Sequence, residues 1–104
     1  MPNILSRIRN ENPFLLAREM GIKIENYHFK NGILGYLTPD NSIILNTSLS
    51  PLIQEDACCL LLIQHLLYGN TDYCLTDKNY VDARKSLKIK RIQTPVLKQR
   101  LFDF

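Results

Sequence analysis

A chain of 104 residues, 45% hydrophobic and 22% charged, holds enough apolar material for one core and too little length for two, so a single domain over 1–104 is expected. Three cysteines, two of them adjacent at Cys58 and Cys59, argue against a disulfide framework, and the first residues lack the apolar run and cleavage site of a secretory signal. An intracellular, cytoplasmic protein is expected. The net charge of +3 hides three blocks: five bases and three acids over 1–30 (net +2), no base and five acids over 31–77 (net −5), and eight bases and two acids over 78–104 (net +6). Such a polarity steers a partner and says nothing of the fold.

Residues 1–11 carry weak apolar spacing at Ile4, Leu5 and Ile8 and read as an arm or a frayed turn. The signals sharpen at Asn12, an N-cap residue followed by Pro13 at the first helical position, and Gly21 stops a helix of about two turns. Ile22 and Ile24 alternate with Lys23 and Glu25 as in a half-buried strand over 22–29. The Asn31-Gly32 dipeptide suggests a tight hairpin turn into a second strand over 33–38, with Gly35 permitting a bulge or a close approach. Pro39-Asp40-Asn41 marks another turn before the β-branched run 42–46. The expected fold class is therefore α+β, with a short N-terminal helix, a three-stranded antiparallel meander, a central buried helix and a basic C-terminal helix or strand.

The central helix covers 50–69. Ser50 is placed as its N-cap, Pro51 at its first position, Glu55 and Asp56 near the positive dipole end, and Gly69 at its stop. From Ala57 to Leu67 only Gln64 and His65 are polar, so the apolar surface runs most of the way round. Its apolar span of about 12 residues reaches about 18 Å, well short of a hydrocarbon core of about 30 Å. No membrane association is expected. After it, 70–77 reads as a loop and 78–92 as a helix, with a strand over 87–92 as the alternative. Pro95 ends that element, and the apolar residues of the tail 93–104 suggest docking.

Asn12-Pro13-Phe14 with Ala17, Met20-Gly21-Ile22-Lys23-Ile24, Gly35-Tyr36, the run from Ile44 to Ser50 and the apolar helix occur in an order and spacing that resembles the ImmA/IrrE-type zinc metallopeptidases of phages and integrative elements. In that family the central helix carries His-Glu-x-x-His, two zinc ligands one turn apart and a glutamate that activates the bound water. Aligned without a gap, those three positions fall on Leu60, Leu61 and Gln64; with one inserted residue they fall on Leu61, Leu62 and His65. Either register lacks the first ligand and the general base. A catalytic zinc needs three protein ligands, and the candidates for a rearranged set are His65, Cys74 and Asp82, the last standing where the resemblance places a downstream acid. No cofactor is expected, and no glycine-rich phosphate loop is present. A Cys/His nucleophilic pair is disfavoured as well, because Cys59 and His65 lie about 240° apart around a helix.

Arg84, Lys85, Lys88, Lys90, Arg91, Lys98 and Arg100 make the C-terminal third basic and form the candidate partner-binding set. No helix-turn-helix, zinc-finger or aromatic RNA-reading motif accompanies them, so a protein partner, with nucleic-acid-handling proteins among the candidates, is favoured over direct binding of nucleic acid. The resemblance implies a mobile-element setting. The expectation is a non-catalytic regulator or inhibitor acting on a repressor or host defence protein, an anti-CRISPR inhibitor of a Cas nuclease being one form. A zinc peptidase with a rearranged site and a small DNA-binding regulator are the alternatives.

Overall fold

The computed structural model describes Arg7 and residues 11–30, 32–69 and 71–86, and within them the chain is α+β, with three helices and one four-stranded mixed sheet. Helix α1 (Pro13–Glu19) begins as its sequence predicts: Asn12 is extended and its side chain accepts the Phe14 N–H at 2.9 Å. At its far end Ile22 N–H reaches the Ala17 carbonyl at 2.8 Å, a Schellman-type closure that needs the positive φ of +75° at Gly21. Leu16 and Ala17 bury their side chains, and Leu15 stays exposed.

Strands β1 (Lys23–Tyr27), β2 (Ile33–Thr38), β3 (Ser42–Asn46) and β4 (Tyr73–Thr76) lie in the order β1-β3-β2-β4. Two expectations are overturned here. The β1 and β2 segments form no hairpin: β3 lies between them, antiparallel to β2 and parallel to β1, so the three strands are not a meander. The reason is the contrast between two connections. Between Thr38 and Ser42 the chain turns tightly, with Thr38 Oγ1 accepting the Asp40 and Ser42 amides at 3.3 and 3.2 Å and Asn41 at φ 59°, so β2 and β3 become neighbours. From Tyr27 to Ile33 the link is longer and crosses the end of β3, a span of two strand spacings, roughly 10 Å. Asn46, fully buried at that end, holds the crossing chain: its Nδ2 donates to the Phe29 and Ile33 carbonyls at 3.3 and 2.7 Å, and its Oδ1 accepts the Phe29 and Ser48 amides at 3.3 and 2.9 Å.

Residues 73–76, expected as loop, form β4 antiparallel to β2, with a register shift between Ile33 and Gly35. Four residues are too few for alternation to declare a strand, and the pairing partner declares it instead. Asn79 closes the segment by accepting the Thr76 amide at 2.8 Å and donating to the Cys74 carbonyl at 3.1 Å.

Helix α2 (Pro51–Tyr68) forms as expected and covers one face of the sheet. Ser50 has the extended backbone of an N-cap, but its side chain makes no capping bond; its carbonyl accepts the Gln54 amide at 2.9 Å, and Gly69 at φ +78° stops the helix. Ala57 through Ile63 are all buried. The approach to β2 is close at Gly35, where an added Cβ would stand 2.9 Å from Leu61 Cδ1 and 3.0 Å from the Ile44 carbonyl. Helix α3 (Tyr80–Ser86) matches part of the expected 78–92 helix. The strand alternative over 87–92, the docked tail over 93–104 and the N-terminal arm, Arg7 and Glu11 apart, lie outside the described residues. Among those described, no helix is long and apolar enough to cross a membrane.

Candidate functional site

The α2 positions where the family resemblance would place the first metal ligand and the general base are apolar and closed. Leu60, Leu61 and Leu62 are at most 1% exposed, and Leu61 presses into the space above Gly35. Leucine offers neither a ligand lone pair nor a proton acceptor, so this part of the helix can pack but cannot bind or activate water.

The three candidates for a rearranged site occupy different surroundings. His65 is half-buried in the last turn of α2, with its Nδ1 enclosed and without a hydrogen-bond partner. Cys74 pairs with Tyr36 across the β2/β4 ladder, while its neighbour Leu75 pairs with Gly35, the residue that meets α2. Side chains alternate along a strand, which turns Cys74 to the side of the sheet away from α2 and His65. Partial burial pushes its thiol pKa up, away from the reactive thiolate. Asp82 is exposed in the first turn of α3. Among the described residues no group of three or more His, Cys, Asp and Glu side chains gathers in a way that could hold a metal ion.

Of the basic set, Lys85 is exposed on α3, whereas Arg84 is only 6% exposed. Its Nε stands 3.0 Å from Asp56 Oδ2, and Asp56, fully buried on α2, also accepts the Tyr80 hydroxyl at 2.5 Å. Arg84 therefore spends its charge inside the domain and is withdrawn from the partner-facing surface on which the sequence places it. Burial, then the neighbouring Asp56 carboxylate, raises the pKa of the Tyr80 hydroxyl and keeps it a donor. Lys88, Lys90, Arg91, Lys98 and Arg100 lie outside the described residues.

This buried Asp56–Tyr80–Arg84 cluster was not evident from the sequence, which assigns Asp56 to the helix dipole. One signal did point to it: Asp56 falls three residues after Ile53 and four before Leu60, on the same face as two core residues. A surface group also escaped notice at the C-terminal ends of the parallel pair β1 and β3. There Tyr27 is 62% exposed, with its ring centroid 5.0 Å from that of Phe29, and the His28 Nδ1 and Ser48 Oγ atoms are 2.9 Å apart. Aromatic rings beside polar groups suit recognition of another surface.

Fold and site together define a small α+β domain whose central helix serves packing along its buried length and which encloses the Asp56–Tyr80–Arg84 cluster. No protein-family model, curated protein or solved structure matches the chain.

Proposed function

We propose that this chain is a non-catalytic protein-binding regulator or inhibitor, a degenerate metallopeptidase-like domain that acts on a repressor or a host defence protein in the cytoplasm of a bacterium. The observation that carries the reading is the leucine packing of α2: the positions that would supply the first ligand and the general base are buried leucines, with Leu61 packed over Gly35. The exposed Tyr27 beside Phe29 supplies the kind of aromatic anchor on which protein interfaces rely, and Lys85 with the bases beyond it supplies steering charge. An inhibitor of a Cas nuclease fits this combination of small size and charge polarity.

The test is affinity capture of the tagged chain from lysate of bacteria that carry its gene, with nuclease treatment, alongside metal analysis of the purified protein. The expected result is one protein near stoichiometry, retained after nuclease digestion and depleted by Tyr27→Ala. Stoichiometric zinc with chelator-sensitive peptidase activity would overturn the reading in favour of an enzyme. Loss of all recovered material on nucleic-acid digestion, with affinity falling steeply in salt, would overturn it in favour of a DNA-binding regulator.

A further inference from the structure

Strand β1 is an edge of the sheet, and its backbone geometry shows which groups face outward. Lys23 N–H donates to the Asn41 carbonyl and the Tyr27 carbonyl accepts the Thr47 amide, both at 3.0 Å, so Lys23, Glu25 and Tyr27 turn their peptide groups toward β3. Ile24 and Asn26 then direct theirs away from it. Among the described residues no strand pairs with that outer side. Unpaired edges invite another strand, and a lysine such as Lys23 ordinarily discourages one.

Here the edge is complementary to itself. We propose that two copies of the chain associate through antiparallel pairing of their β1 edges, with the twofold axis at Ile24. In that register Ile24 faces Ile24 of the second copy as a hydrogen-bonded pair, and Lys23 stands opposite Glu25 in both directions. Within one chain Lys23 Nζ already lies 3.3 Å from a Glu25 oxygen, and both side chains are substantially exposed, at 72% and 43%. The dimer closes them into a ring of four alternating charges. Shifting the axis to Glu25 would set the two carboxylates against each other, and shifting it to Asn26 would leave Lys23 without an opposite carboxylate. Charge thus selects one register of three. Beside the edge a cleft of about 430 Å³, lined by Phe14, Arg18, Ile22 and Ile24 among others, receives the second copy's Ile24 and Asn26. The paired segment is short, so the association is weak and depends on concentration. This inference stands independently of the functional reading.

The test is sedimentation velocity on the full chain from low micromolar to millimolar concentration. Wild type is expected to pass from monomer to dimer over that range. Lys23→Glu and Glu25→Lys should each abolish the dimer, and an equimolar mixture of the two variants should restore it as a heterodimer, because every facing pair is then opposite in sign. The mixture guards against loss of fold, since misfolded chains would not recover on mixing. A wild type that stays monomeric throughout would overturn the proposal. So would single variants that dimerise like wild type, which would locate the contact elsewhere, or a dimer tightened by Glu25→Gln, which would indicate the Glu25-centred register.

Discussion

One buried amide explains why this chain can cross from β1 to β2 over the end of β3. Asn46, itself fully buried, bonds two carbonyls and two amides of the crossing segment and the following turn, and each of these part-buried groups would lose that bond if the side chain were removed. Asn46→Ala is expected to destabilise the fold by about 2–4 kcal/mol, read as a lower urea midpoint. Asn46→Asp should do more harm despite its near-identical shape, because it exchanges the donor facing the Phe29 and Ile33 carbonyls for an acceptor. Tyr80 gives a second residue-scale prediction. Its folded pKa lies above the ordinary value of 10.0, so its stabilising contribution is complete below that pH. Above it the unfolded chain releases the proton that the folded chain retains, and stability falls as pH rises. Urea midpoints of wild type should drop more steeply above pH 10.0 than those of Tyr80→Phe; parallel curves would remove Tyr80 from the account. The sequence displayed Asn46 at the end of a strand, but nothing in its local pattern revealed that four backbone groups distant by up to seventeen residues would converge on it.

Among the elements, those specified by neighbouring residues were legible and those specified by distant partners were not. Asn12-Pro13 and Gly21 bracket α1, and Pro51 and Gly69 bracket α2, because caps and stops act within a turn. The side of β3 on which β1 lies depends on link length and on Asn46, and β4 exists only because β2 offers it an edge. Helix α3 has the same dependence. Its described part is fastened to α2 by Tyr80 and Arg84 on Asp56. Arg84→Met alone is therefore expected to destabilise by about 3–5 kcal/mol, since it removes a partner of a buried carboxylate. Made in a Tyr80→Phe background, so that no buried hydroxyl loses its Asp56 acceptor, the double variant Asp56→Leu with Arg84→Met should recover much of that loss, because paired apolar groups of similar size carry no desolvation penalty. A thermodynamic cycle over the four proteins in that background, from urea melts followed by circular dichroism, measures the coupling; additive losses would mean that the pair does not fasten α3.

At the scale of the molecule, the leucines of α2 fill the core beneath the sheet. The proposed kinship with zinc peptidases raises a simple question: whether a few substitutions could install the missing motif. With one inserted residue in the alignment, His65 is already in place, so Leu61→His with Leu62→Glu would recreate the full motif. Both leucines are 0% exposed, and Leu61 fills the approach to Gly35. Removing each buried leucine costs about 3–5 kcal/mol, and enclosing a carboxylate costs several more. A domain of this size has roughly 5–15 kcal/mol in total, so the two changes consume most or all of it. The double variant is expected to lose its cooperative urea transition and to take up no stoichiometric zinc, as judged by circular dichroism and elemental analysis. A folded, zinc-loaded double variant would mean that the core tolerates an open site there and that a further ligand is within reach of His65. The expected outcome would mean the opposite: the helix has been rebuilt as packing, and what the domain does must be sought on its surface.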